Sequence, residues 1–251
     1  MIGLGTLVNV LAIIAGSAVG VLLGSRLPEK TNRAVTDALG LLVLVLGGLN
    51  LQSLADKQFV SAAGPVGTFM IVIFAVLFGT IAGSLAGIEG RLASFGGWLQ
   101  DRLSRGRTQS NRARERFITG FVDSSLIFAI GPMAILGAMS DGVGDGPNTL
   151  IIKSILDGFA CIAFAASLGW GVATSSITVG LWQGFVTLVA FFAGSFIPGS
   201  MIASITATGG VLMLAIGLRI SGIRQIAVAD MLPALIFAPL LTWAVSALFA
   251  H

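Results

Sequence analysis

The sequence predicts an all-α polytopic membrane protein of about eight transmembrane helices. A 3+3 inverted-topology repeat flanks two central helices, and one interfacial amphipathic helix lies on the cytoplasmic side. Three observations predict this. The 251-residue chain is 55% hydrophobic and only 10% charged, with 34 glycines, whereas a soluble surface normally carries about 25% charged residues. Apolar runs long enough to cross roughly 30 Å of hydrocarbon at about 1.5 Å per residue recur eight times. Residues 24–47 match residues 194–217 without a gap at a constant offset of 170: Gly24, Ser25, Pro28, Thr36, Gly40, Leu42, Leu44 and Gly47 recur as Gly194, Ser195, Pro198, Thr206, Gly210, Leu212, Leu214 and Gly217. In so apolar a chain, a self-match is the trace of a fold built from two copies of one membrane unit.

The apolar segments fall near 2–24, 35–54, 65–88, 117–139, 150–168, 174–195, 201–220 and 227–249. Short connections with turn chemistry, such as Leu27-Pro28, Gly64-Pro65 and Pro198-Gly199, separate them. They leave no room for a soluble domain, so 1–251 reads as one membrane domain: repeat one at 1–88, a cytoplasmic helix and connector at 89–116, a central helix pair at 117–168, and repeat two at 170–251. The first segment lacks a basic n-region and a small-residue cleavage site, so it reads as a retained helix rather than a signal peptide.

Orientation follows from the cations, because Lys and Arg accumulate in cytoplasmic loops. Arg26, Lys30 and Arg33 follow segment one; Arg91, Arg102, Arg105, Arg107, Arg112, Arg114 and Arg116 follow segment three; Arg219 and Arg224 follow segment seven. Only Lys57 and Lys153 fall near the other face. Eight crossings with both termini external satisfy this pattern. Five crossings separate the start of one copy from the start of the other, and an odd number inverts the second copy. The loop holding Arg26, Lys30 and Arg33 then corresponds to an external loop at Phe196, Ser200 and Ala203, which has no cations. The third helices align more weakly, Ile73-Phe74-Ala75 against Ile236-Phe237-Ala238, with the offset slipping to 163.

Within 89–116, Leu92, Phe95, Leu99 and Leu103 recur at helical spacing beside Trp98, with Arg91, Arg102 and Arg105 among the polar positions. This pattern predicts an interfacial helix that meets anionic lipids at the cytoplasmic face, followed by a solvated connector over Arg107 to Arg116. Topology alone demands these cations, so nucleic acid is not the expected partner. Gly16, Gly20 and Gly24, and again Gly79, Gly83 and Gly87, repeat at four-residue spacing. Such stripes let backbones approach closely, either between protomers of a homodimer or within one bundle.

Polar groups inside apolar segments point to the working site, because a mid-helix carboxylate is costly in lipid and needs a partner or a cavity. Asp157 leads, with Lys153 one turn before it at i, i+4. Asp123, Ser124 and Ser125 sit in segment four, and Asn9, Gln183, Thr206 and Thr208 add neutral groups within the repeats. Gly131-Pro132 in segment four, Thr208-Gly209-Gly210 in segment seven, and Pro233 and Pro239 in segment eight are candidate helix breaks, which expose backbone groups for ions or solutes. Asp141 and Asp145 are positioned to draw cations to a pore mouth, or to form ordinary turns. A single cysteine, Cys161, and a terminal His251 leave almost no material for disulfides, metals or histidine catalysis. No GxxxxGK[ST] phosphate cradle occurs. No cofactor or metal is expected.

GTLVN at 5–9, LIFAIGPMAILGAMSDG at 126–142, KSILDGFACIAFAASLG at 153–169, WQG at 182–184, TATGG at 206–210 and GLRISGIRQIAVADMLPA at 217–234 resemble the bacterial membrane proteins called domain of unknown function 554, with their YqgA-like and YdfK-like members. The likeness covers essentially the whole chain. It implies a multi-pass protein of the bacterial inner membrane, a transport or integral membrane protein without an agreed substrate. Asn9, Lys153, Asp157, Gln183, Thr206 and Thr208 fall on family-type positions, and Asp230 stands where similar sequences often have Asn. The leading expectation is a secondary transporter or channel that moves a small solute or ion through a polar midplane site near Asp157. The alternatives are an intramembrane enzyme pairing Asp123 with Asp157 as general acid and base, and a non-transporting scaffold.

Overall fold

The computed structural model describes residues 2–25, 28–103, 111–193 and 198–249. Among these, ten α-helices follow in order: α1 (Leu4–Gly24), α2 (Glu29–Leu51), α3 (Lys57–Ala86), α4 (Ile88–Leu103), α5 (Asn111–Ala129), α6 (Pro132–Val143), α7 (Asn148–Leu168), α8 (Gly171–Ala193), α9 (Gly199–Ile220) and α10 (Ala234–Phe249). Two 3-10 turns, Gln52–Ala55 and Val228–Met231, precede α3 and α10. No strand occurs among the described residues. Seven helices are long and apolar enough to cross a membrane, and the bent pair α5–α6 makes an eighth span if counted as one. The chain is an all-α polytopic membrane protein.

Local signals set the ends. Asp56 caps α3, its Oδ1 accepting from the backbone N–H of Gln58 at 2.9 Å and of Phe59 at 3.1 Å. Pro132 stands at the start of α6, where its missing N–H costs nothing. Three expected boundaries move. The Gly64-Pro65 dipeptide lies inside α3 as a kink, with Gly64 at φ +74°, a left-handed conformation that favours glycine. Residues 111–116 are the first turns of α5 rather than connector, because their exposed Arg and Glu side chains suit a solvated helix end. And α9 runs unbroken through Thr208-Gly209-Gly210, since glycines packed against a neighbouring helix need no other conformation.

The chain forms two compact units, Met1–Leu39 with Arg91–Phe196, and Gly40–Gly90 with Ile197–His251. In the first unit, Gly16, Gly20 and Gly24 of α1 press on the backbone carbonyls of Gly158, Ile162 and Ala166 of α7, in rising register, so α1 and α7 run parallel. Glycine is required here because any Cβ would strike main chain. α8 crosses α1 antiparallel, with Asn9 beside Gln183 and Val10 against Gly180. The bent pair follows α8 along its length: Gly171 packs on Phe117, and Gly142 on Thr187 and Ala190. That path of about twenty residues covers roughly 30 Å, so α5 and α6 together follow α8 over most of its length.

In the second unit, α2 and α9 cross antiparallel through glycines: Gly40 meets Gly217, and Gly47 meets Gly210. α3 and α10 also run antiparallel, with Gly79 on Ala234 and Gly83 on the Asp230 carbonyl just before α10. Ala75 and Ala238 are both fully buried. Both glycine stripes anticipated from sequence are thus occupied within the chain itself, at Gly16, Gly20 and Gly24 and at Gly79 and Gly83.

Candidate functional site in the first unit

Four buried polar side chains from three helices form one connected chain. On α7, the i, i+4 spacing brings the Lys153 ammonium onto Asp157 Oδ2 as a buried ion pair. Asn9 of α1 reaches Asp157, and its Nδ2 donates to Gln183 Oε1 of α8 at 3.2 Å. Asn9 and Gln183 are fully buried, and Lys153 and Asp157 are 6% and 8% exposed. The link from α1 to α8 lies within one turn of the point where those helices cross, at Val10 and Gly180.

Each amide keeps unused capacity: Asn9 Oδ1 and Gln183 Nε2 have no hydrogen-bond partner among the described residues. The same holds for the buried hydroxyls of Ser124 and Ser125 on α5 and Thr187 on α8. Buried polar atoms of this kind cost about 1–3 kcal/mol each unless something satisfies them, so their concentration in one unit is not ordinary core packing. Asp123, Ser124 and Ser125 are all buried on α5.

The break in segment four stands beside the ion pair. The bend between α5 and α6 is 61°. The Phe128 ring, in the last turn of α5, lies 5.9 Å from Lys153 Nζ and packs edge-on against Phe164 of α7 at 6.1 Å. Pro132 has no N–H to give the Phe128 carbonyl. The last turn of α5, which carries Phe128, thus ends at the negative end of its helix dipole.

Several expected site residues have other occupations. Asp141 lies inside α6, is 1% exposed, and accepts from the Gly5 backbone N–H of α1 at 3.1 Å. It is an N-terminal anchor for α1 rather than a free pore-mouth charge. Thr206 and Thr208 belong to α9 in the second unit; the Thr206 hydroxyl donates to the Ile202 carbonyl of its own helix at 2.8 Å, and Thr208 is fully buried. On α4, Arg91, Trp98 and Arg102 are exposed, and Trp98 stacks on Phe95 at 5.7 Å. Arg105 lies outside the described residues.

A polar knot in the second unit escaped the sequence reading. Glu89 Oε1 accepts from Arg219 Nη1 at 2.6 Å, its Oε2 accepts from the Ala229 N–H at 2.7 Å, and its own N–H donates to Asp230 Oδ1 at 2.8 Å. Glu89 was legible only as a lone acid beside a glycine, with its partners some 130 residues away. Asp230 acts here solely as an acceptor, which an Asn side chain also supplies.

Known proteins resemble this chain along nearly its whole length. A family model described as Protein of unknown function (DUF554) matches residues 4–243. The chain is 33% identical over 247 residues to the "Uncharacterized protein YqgA" of Escherichia coli (strain K12), covering 98% of this chain and 99% of that protein. It is 28% identical over 244 residues to the "Uncharacterized membrane protein YdfK" of Bacillus subtilis (strain 168), covering 97% of each. No solved structure matches.

Proposed function

Because this chain belongs to the DUF554 family of membrane proteins, we propose that it is a secondary transporter or channel of the bacterial inner membrane, moving a small solute or ion through the Lys153–Asp157–Asn9–Gln183 site. The observation that carries this reading is the buried polar chain itself. It joins a charged pair to unsatisfied amides at a helix crossing, beside a broken span, within segments that face lipid on their outer sides. Ionisable groups in such a position mark ion and solute pathways more often than structural filler.

An inverted repeat supports the same architecture. By the offset of 170, Val10 and Gly180 are counterparts, and they are where α1 meets α8. Gly40 and Gly47 are counterparts of Gly210 and Gly217, and the contacts are the exchanged pairs, Gly40 with Gly217 and Gly47 with Gly210. Reciprocal contacts of this form are what a local two-fold axis produces. The central helices follow suit, α7 lying parallel beside α1 and α5–α6 parallel beside α8. With the cation-rich loops inside, both termini are external, and the exposed arginines and Trp98 of α4 meet anionic headgroups. The glycine stripes serve packing within the chain, so the assembly reads as a monomer.

An enzyme pairing Asp123 with Asp157 fits less well. Gly120 packs on Leu168, so the antiparallel register leaves Asp123 about 12 Å along α7 from Asp157 at about 1.5 Å per residue. One bridging water does not span that.

The test is reconstitution into proteoliposomes under imposed proton, Na⁺, K⁺ and Cl⁻ gradients and with a panel of small labelled solutes. Asp157→Asn should abolish the flux while the protein remains folded. In parallel, Gln183→Cys in a Cys161→Ala background should react with a membrane-impermeant thiol reagent. Unchanged flux in Asp157→Asn, or no flux together with an unreactive thiol in the Gln183→Cys protein, rejects the reading.

A further inference from the structure

We propose that Asp157 is a binding site for a monovalent cation, a proton or an alkali metal ion, and that Lys153 is its built-in competitor, released onto the Phe128 ring and the end of α5 when the cation binds. This deepens the transport reading, on which it rests for its place in a cycle. Its binding chemistry stands separately.

Three features of the structure carry it. First, the site's charges cancel internally, Lys153 against Asp157, so a cation reaches the carboxylate only by taking the ammonium's place. Second, the displaced ammonium has somewhere to go. Phe128 presents its ring 5.9 Å from Nζ, within the roughly 6 Å reach of a cation–π contact. The α5 C-terminus beside that ring adds a negative dipole end and a carbonyl that Pro132 cannot bond. A lysine with two seats exchanges one for the other at far lower cost than one stranded in apolar surroundings. Third, the amide beside the carboxylate has a spare oxygen that a small cation could draw on. Asn9 sits against the carboxylate, and the Asn9 carbonyl oxygen Oδ1 is buried and unpartnered among the described residues. Oxygen donors of this kind suit hard cations.

The surroundings contain little else that titrates. α1 and α8 contribute no charged side chain, and α7 contributes the pair itself and the buried thiol of Cys161 one turn beyond Asp157. α6 contributes Asp141, which is engaged with the Gly5 N–H. α5 contributes Asp123 farther along α7, and otherwise only the exposed residues Arg112, Arg114, Glu115 and Arg116 at its distant end. A response of this site to cations therefore reads out Asp157.

The experiment uses the full chain in nanodiscs of zwitterionic lipid. Thermal unfolding is followed as NaCl or KCl replaces N-methylglucamine chloride at fixed ionic strength and pH, and then as pH is varied without either metal. A cation that binds the folded state raises the midpoint. The wild type should respond to at least one of the three probes, and which one identifies the occupant. Lys153→Gln removes the competitor and should move the response to lower cation concentration by about 5- to 150-fold, the usual range for coupled sites. Phe128→Leu removes the second seat and should move it the other way. Asp157→Asn should respond to nothing. If Lys153→Gln does not fold, the weakened response of Phe128→Leu and the lost response of Asp157→Asn against wild type decide the matter. No response in folded wild type, or a response retained in Asp157→Asn, overturns the proposal. Binding without any flux would instead overturn the transport reading and leave this one standing, whereas flux indifferent to all three cations does the reverse.

Discussion

Replacing Gly20 or Gly24 by Ala tests whether the glycine stripe of α1 is an internal seam. A Cβ at Gly24 would stand 2.7 Å from Ala166 Cα, and one at Gly20 would stand 2.9 Å from Ala165 Cβ. The nearest obstacles are the main-chain carbonyl oxygens of Ala166 at Gly24 and of Ile162 at Gly20, closer still than these carbons and unable to swing aside; ordinary contact begins at 3.4 Å, so α1 and α7 must separate by more than 0.7 Å and 0.5 Å respectively. Overpacking of this kind costs about 1–3 kcal/mol, against which Ala gains about 0.5–1 kcal/mol over Gly within a helix. Each variant should therefore lose up to about 2.5 kcal/mol of unfolding free energy in mixed micelles, net of these two effects. Gly48→Ala and Gly184→Ala are the controls. A Cβ at either meets nothing within 4 Å, so both should be neutral or gain up to about 1 kcal/mol. The assay is reversible unfolding in these micelles, read with the oligomeric state by light scattering. Equal effects at all four positions would refute the reasoning. So would a Gly20 variant that unfolds normally but loses a dimer, because the stripe would then belong to an interface between protomers.

Substitutions at three further positions probe charges that hold the fold. Asp141→Ala should cost about 0.5–2 kcal/mol, as loss of a helix N-terminal acceptor does, and should speed hydrogen exchange at the Gly5 amide; Asp141→Asn keeps an acceptor oxygen and should lie closer to wild type. In the second unit, Glu89→Gln should cost about 1–3 kcal/mol, since one of its two accepting oxygens becomes a donor facing a donor, whereas Asp230→Asn should stay within about 0.5 kcal/mol. Equal losses from these two would mean that the knot depends on charge at both positions.

Much of the architecture was legible because lipid imposes simple rules. Length and hydropathy located the spans, since a backbone in hydrocarbon must satisfy itself as a helix. The Lys153–Asp157 pair was legible because both partners lie on one helix at a fixed spacing. What sequence could not provide was any contact between helices. Asn9 and Gln183 are 174 residues apart, and nothing local in either segment marks them as partners. The same blindness explains the misplaced breaks. Gly64-Pro65 and Thr208-Gly209-Gly210 both carry breaker residues, but only at the first does the backbone depart from helix. At the second, glycine serves close packing, with Gly210 against the Gly47 carbonyl and Asn50. A glycine's role is decided by its neighbour in space, and sequence alone names only its neighbours in the chain.

On the proposed inverted repeat, a two-fold arrangement would yield a one-sided site. By the offset of 170, Asn9 corresponds to Val179 and Gln183 to Ile13, and all four are fully buried. A symmetric duplicate would place the same amide pair on both flanks of the α1–α8 crossing. Here one flank carries Asn9 with Gln183, while the counterpart positions hold Ile13 and Val179, side chains without polar atoms. Neighbouring positions kept their character: Thr6 and Ser176 are both buried, as are Ser17 and Thr187. On that proposal, divergence would have concentrated amide chemistry on the flank where Asn9 lies beside Asp157. Two such flanks would need two carboxylates with two counter-ions in the apolar interior, each carrying its own desolvation cost. On the proposed transport reading, a single asymmetric site would bind polar cargo at half that cost, and the outward and inward approaches to it would need only the symmetric frame that a repeat supplies.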